Sequence, residues 1–191
     1  IKSEKTRLHG RENMGLSTNI DRFFKSISSN IKLNVSLFHS DYTQFVNDTK
    51  LPISANNIST ALELRSAFKG IFNFHIGSTW KTYLVNSSAK NSFTNNNCFL
   101  DLLFRPHENL NFKIQNECYV FGHTSSNKAY YFLDFDCRYI VKKNKLSFSI
   151  EGRNLSDTRQ YRSASISEIS TAVSQYNLLP RSVLLKAEYR F

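Results

Sequence analysis

The last ten residues, SVLLKAEYRF at positions 182–191, decide how the rest of the chain is read. Val183, Leu185, Ala187, Tyr189 and Phe191 fall on one face of an extended strand, and Ser182, Lys186, Glu188 and Arg190 fall on the other. Successive side chains of a strand point to opposite sides, so one face is apolar enough for lipid and the other polar enough for a watery lumen. Chain ends of soluble domains are ordinarily polar and frayed. An alternating strand that runs to the final phenylalanine predicts the closing strand of a membrane β-barrel.

Working outward, composition narrows the class. Of 191 residues, 40% are hydrophobic and the mean hydropathy is −0.39, so no stretch approaches the roughly 20 apolar residues of a transmembrane helix. If this chain crosses a membrane, it crosses as strands. Aromatics make up 14%, dominated by 16 Phe and 9 Tyr, side chains that favour strands and membrane interfaces. The net charge is +10, but the longest basic cluster is Lys142, Lys143 and Lys145, too short to read as a nucleic-acid surface. The N-terminus begins Ile1, Lys2, Ser3 with neither an initiator Met nor the order of a signal peptide, and the expectation is a processed or cut chain.

Turn signals come in two lengths. Tight polar connections fall at residues 25–29, 69–70, 106–109 and 142–145. Between them lie Asn/Ser/Thr-rich stretches at 48–56, 86–96 and 124–128, and a last one within 157–175. Short turns on one rim and long loops on the other describe an outer-membrane barrel, with turns facing the periplasm and loops facing outside. The strands predicted between them are 13–24, 30–47, 57–68, 71–85, 97–105, 110–123, 129–141, 146–161 and 176–191.

Several strands alternate clearly. Ile31, Leu33, Val35 and Leu37 oppose Lys32, Asn34 and Ser36, and Leu133, Phe135 and Tyr139 oppose Asp134, Asp136 and Arg138. Charges gathered on the inner face suit a wet lumen, since one on the lipid face costs about 2–4 kcal/mol at the midplane. Two aromatic girdles are expected: Trp80, Tyr83, Tyr119, Phe121, Tyr130 and Tyr131 near the long loops, and Phe72, Phe74, Phe104, Phe112, Tyr139, Tyr189 and Phe191 near the short turns. About nine strands is an odd number, whereas a complete bacterial barrel of this kind has an even one, which predicts missing N-terminal strands and an external position for the first residues.

The C-terminal quarter then becomes specific. LSFSIEGRNLSD at 146–157, followed by YNLLPRSVLLKAEYRF at 176–191, resembles the last two strands of TonB-dependent outer-membrane receptors. The family's strand running into an N-L-polar corner is matched by Asn154, Leu155, Ser156 and Asp157, and its Pro-Arg before the closing strand by Pro180 and Arg181. The resemblance implies an all-β, antiparallel transmembrane barrel of about 22 strands around an N-terminal plug, of which residues 1–191 would form the C-terminal part. It implies a location in the bacterial outer membrane, energy supplied by the TonB complex through a segment not in this chain, and an imported nutrient such as a siderophore, vitamin, peptide or glycan. It further implies that Leu185, Ala187, Tyr189 and Phe191 are the signal read by the barrel-assembly machinery. Proline lacks a ladder donor, and Pro180 is expected to bend the closing strand.

No catalytic constellation stands out. His9, His39, His75, His107 and His123 are scattered without metal-ligand spacing, and no nucleophile-elbow or phosphate-loop motif occurs, so neither enzyme activity, metal nor cofactor is expected. Asp134 and Asp136 are expected to pair with Arg138, Lys113 or Lys186. Cys98 and Cys118 are equidistant from the 106–109 turn, which sets them opposite each other. Two readings stay open for them: small side chains facing lipid, as for Cys137, or a disulfide in an oxidising periplasm. Ligand contacts are expected from residues 48–56, 86–96 and 159–162. Two rival functions also remain, a stand-alone outer-membrane pore or adhesin, and a soluble basic β-domain.

Overall fold

A computed structural model describes residues 10–46, 49–67, 69–87, 90–122, 129–142, 145–166 and 171–190. Eleven strands account for nearly all of them, and there is no α-helix among the described residues: β1 (Glu12–Phe24), β2 (Ser29–Val46), β3 (Thr49–Ser66), β4 (Phe72–Asn86), β5 (Lys90–His107), β6 (Leu110–Phe121), β7 (Ala129–Lys142), β8 (Leu146–Arg153), β9 (Gln160–Ile166), β10 (Thr171–Asn177) and β11 (Ser182–Tyr189). Nine form one antiparallel sheet in the order β1-β2-β3-β4-β5-β6-β7-β8-β11, and β9 pairs with β10 in a separate two-stranded sheet. The all-β, antiparallel expectation therefore holds. Strands β1 and β11 each have one neighbour, so the described sheet has two open edges.

Four predicted segments are corrected. Residues 49–56 and 90–96 are not loops but ladder: Thr49 to Asn56 pair with β2 up to Val46, and Lys90 to Asn96 pair with β4 from Asn86 to Trp80. The polar text that suggests loops hides a period of two, in which Leu51, Ile53 and Ala55 share one face. Pro52 fits because the β3–β4 pairing ends at Ser54 and Asn86, leaving that stretch of β3 with a free edge that demands no donor. The predicted strand 146–161 breaks after Arg153, and 176–191 is interrupted between Asn177 and Ser182. Pro180 thus lies before the closing strand and not within it. The 124–128 loop lies outside the described residues.

Antiparallel partners share a face, so the register carries one parity across the whole sheet. Leu33, Leu62 and Ile20 lie together, and Ile76, Leu100, Asn116 and Leu133 follow as one row. At the other end that face continues through Cys137, Ile150 and Leu185. It is apolar and uncovered: Leu62 is 45%, Ile114 38%, Phe148 47% and Leu185 79% exposed. The opposite face carries Asp21, Lys32, Glu63, Arg65, His75, Asp101, Lys113, Glu117, Asp134, Asp136, Arg138, Glu151, Arg153, Lys186 and Glu188. In the middle and lower parts of the strands the charged side chains obey this division, while Leu103 and Leu184 share the charged face with them and Ser78 and Asn116 lie on the apolar one. Arg22 is an exception on the apolar face, three residues before the Lys25–Ile27 3-10 turn, and its guanidinium lies over the Phe24 ring at 5.5 Å. Phe99 is an apolar exception on the charged face. Its ring lies where a Cβ on Gly77 would stand, 2.5 Å away, and it meets His75 edge-on.

Toward the long-loop end the two faces exchange character. On the face that begins with Ile31, Leu33, Val35 and Leu37, β2 continues with His39, Asp41 and Thr43, and β3 passes from Leu64, Leu62 and Ile58 to Asn56 and Ser54. On the other face, Lys32 and Ser36 give way to Phe38 and Tyr42, while Glu63 and Arg65 give way to Ala55 and Ile53. Strands β4 to β7 do the same, ending on the charged-face side with Tyr83, Phe93, Tyr119, Phe121, Phe132 and Tyr130. Among the described residues, the buried apolar ones, Ile53 (2%), Ala55, Phe93 and Tyr130, all belong to this inverted end.

Candidate functional site

Two constructions stand out: the charged face around the closing strand, and the corner and hairpin above it. Arg153 is the hub of the first. Its guanidinium reaches Asp136 at 3.0 Å, Glu151 at 3.1 Å and Asp134 at 3.5 Å, tying β8 to β7. Lys186 on β11 meets Glu151 at 2.7 Å, and Arg138 on β7 reaches past β8 to Glu188 on β11 at 3.1 Å. The expected partners are therefore corrected: both aspartates go to Arg153, while Lys186 and Arg138 each bind a glutamate. Arg153 was missed because it closes the same LSFSIEGRNLSD run that reads as one continuous strand.

The corner Asn154-Leu155-Ser156-Asp157 ends β8 and ties four segments together. Asn154 and Asp157 both adopt positive φ, 49° and 54°, a conformation that Asn and Asp tolerate better than other side chains. The Asn154 amide N–H donates to Asp134 at 2.8 Å, and its side-chain amide donates to the Thr158 carbonyl at 2.9 Å and the Leu179 carbonyl at 2.8 Å. Leu155 N–H donates to the Leu133 carbonyl at 2.7 Å and Ser156 Oγ to the Tyr131 carbonyl at 2.6 Å, so the corner occupies the edge of β7 that β8 has vacated. Asp157 accepts from the Arg159 guanidinium at 2.9 and 3.0 Å and from the Arg181 amide at 3.2 Å. Those bonds, the Arg159 contact first, hold the Asp157 carboxyl below its usual pKa. The Leu155 side chain packs where a Cβ on Gly152 would stand at 3.0 Å.

Above the corner, the β9–β10 hairpin turns toward the charged-face side. Tyr161 sits among Tyr130 (5.4 Å between centroids), Phe121 (5.6 Å), Tyr119 (5.7 Å) and Phe132 (6.1 Å), with its own hairpin partner Tyr176 at 6.2 Å. Burial pushes the Tyr161 hydroxyl above its usual pKa. The expected upper girdle is corrected by this arrangement. Trp80 and Tyr131 do lie on the apolar face, but Tyr83, Tyr119, Phe121 and Tyr130 are on the opposite one, where Tyr83 stacks on Phe93 at 4.7 Å. The lower band, Phe72, Phe74, Phe104, Phe112, Tyr139 and Tyr189, lies on the apolar face as expected, joined by Phe148.

No family model, curated protein or solved structure matches the chain.

The remaining sequence candidates can be placed. Leu185, Ala187 and Tyr189 line the apolar face of β11 opposite Ile150, Phe148 and Leu146, and Phe191 lies outside the described residues. Cys98 does stand opposite Cys118 in register, and all three cysteines lie on the apolar face as free thiols. Cys98 Sγ lies 2.9 Å from Asn96 Oδ1 and 3.1 Å from Ser78 Oγ. Among the described residues no His, Cys, Asp and Glu come together as a metal-binding group.

Proposed function

We propose that this chain is part of the wall of an outer-membrane β-barrel, the C-terminal strands of a TonB-dependent receptor that imports a nutrient. The observation that carries the reading is the sorting of charge. Away from the strand ends, Asp, Glu, Lys and Arg of the nine-stranded sheet lie on one face, while the other is apolar, uncovered and edged below by a band of aromatics. A soluble sheet that leaves one face apolar must bury it against a second layer, and the described residues supply none. Hydrocarbon is the solvent that accepts such a face. The exchange of polarity near Trp80 and Tyr131 then marks the external boundary, beyond which the outward face meets water.

In this reading the charged face borders the lumen and packs against a plug supplied by another part of the polypeptide. The open edges of β1 and β11 are completed by strands that close the barrel, with about 22 in all. Folding follows recognition of Leu185, Ala187, Tyr189 and Phe191 by the assembly machinery. Import draws on the TonB complex through the plug, and no cofactor takes part. The test is to delete residues 189–191 from the full-length parent protein. Loss of heat-modifiable barrel from the outer membrane is expected, and undiminished barrel would contradict the assignment.

A further inference from the structure

The inward-folded hairpin suggests how the external mouth is controlled, an inference that rests on the charged face being the lumen side. Among the described residues, β9 and β10 share no backbone ladder with the nine-stranded sheet. An isolated two-stranded hairpin is marginally stable in water, so the order of these two short strands depends on what their side chains meet. What they meet is one aromatic box. Tyr119 and Phe121 project from β6 and Tyr130 and Phe132 from β7, all on the lumen-side face, and Tyr161 is in ring contact with each of the four. The neighbouring side chains point elsewhere: Arg162, Val173 and Gln175 are exposed.

Both legs of the hairpin start from a fixed base. Leu178 N–H donates to the Arg159 carbonyl at 2.9 Å, and Asn154 holds the Thr158 and Leu179 carbonyls on the two legs. The corner itself is fastened to β7 through Leu133 and Tyr131. A stiff base with Tyr161 attached above it makes a flap with a pivot and a catch.

We propose that the β9–β10 hairpin is a flap over the external mouth, pivoting at the Asn154–Asp157 corner and latched inward by Tyr161 in the box of Tyr119, Phe121, Tyr130 and Phe132. With Tyr161 seated, the flap covers the aromatic patch of the upper inner wall. With Tyr161 withdrawn, the four rings face the entrance, and the hairpin frays because among the described residues no other strand pairs with it.

Amide hydrogen exchange of the full-length protein in lipid nanodiscs, with tryptic cleavage after Arg162 on intact cells as a second readout, tests this. Tyr161→Ala should speed exchange across residues 160–177 by about tenfold or more, since aromatic contacts of this kind are each worth a large part of that factor, while β6 and β7 exchange as before. Tyr161→Phe, which keeps the ring, should stay close to wild type, and Phe132→Leu should loosen the same segment from the other side. Unchanged exchange in Tyr161→Ala, or a Phe variant as loose as the Ala variant, would overturn the latch. Heat-modifiable migration of the same samples reports separately on the barrel: its absence from the wild type would overturn the membrane reading, while exchange of residues 160–177 would still decide the latch.

Discussion

The lower and upper parts of the same strands teach opposite lessons about where water lies. Along β5, Leu102, Leu100 and Cys98 lie on the apolar face below, and Asn96, Thr94 and Ser92 continue that face above; on the other face Asp101 is followed by Phe99, then Asn97 and Asn95, and then the buried Phe93. The backbone ladder does not change between the two parts, so hydrogen bonding cannot be the cause. In the proposed barrel, what changes is the solvent on each side. Hydrocarbon outside and a wet lumen inside select apolar-out, whereas water outside and a covered mouth inside select polar-out. Under the proposed barrel reading, the crossover is where the membrane boundary falls.

Moving a charge across that boundary on one face is the sharpest way to break the comparison. Leu100→Arg places a guanidinium on the outward face within the apolar band and should cost about 2–4 kcal/mol, while Thr94→Arg, on the same face of the same strand but above the crossover, should stay within about 0.5 kcal/mol. Urea unfolding of the full-length protein in vesicles measures both, and equal costs would remove the boundary from this position.

A smaller effect is expected on the charged face. Arg153→Met leaves Asp134, Asp136 and Glu151 together without their shared cation. These groups are part-exposed, so the loss should be about 1 kcal/mol, appearing as a lower urea midpoint that high salt reduces. An unchanged midpoint would show that the closing strands are held by the ladder alone.

The smallest effect is that of pH at the corner. Asp157 has a depressed pKa in the folded protein, so its contribution is fully present above the unfolded-state value of about 3.9 and is lost as pH falls through the lower folded-state value. Exchange of the Arg181 amide, which donates to this carboxylate, should therefore be flat from pH 7 down to about 4, after correction for intrinsic rates, and should quicken only below that. Quickening near pH 6 would contradict the assignment.

The faces of β2, β6, β7 and β11 were legible because each alternates for several steps with charges on one side. Residues 49–56 were not, since Pro52, Ser54, Asn56 and Asn57 resemble loop composition, and the regular spacing of Leu51, Ile53 and Ala55 is the signal that identifies them as strand. Girdle membership was half legible: closeness to the long loops describes height along the strand, but parity decides the side, and Tyr83, Tyr119, Phe121 and Tyr130 have inward parity. The break after Arg153 could be suspected from Asn154 and Asp157, two residue types suited to positive φ. The seat of Tyr161 could not, because it joins β9 to two strands distant in sequence.

The central claim is that one face of this sheet meets lipid and the other a lumen, and a cysteine scan along β6 tests it most directly. With Cys98, Cys118 and Cys137 replaced by alanine, single cysteines at positions 113–117 of the full-length protein in native membranes would carry a fluorophore read against brominated lipid and an aqueous quencher. The account predicts lipid quenching at 114 and 116 and aqueous quenching at 113, 115 and 117. Equal quenching of both sets by the aqueous reagent, or the reverse alternation, would contradict it.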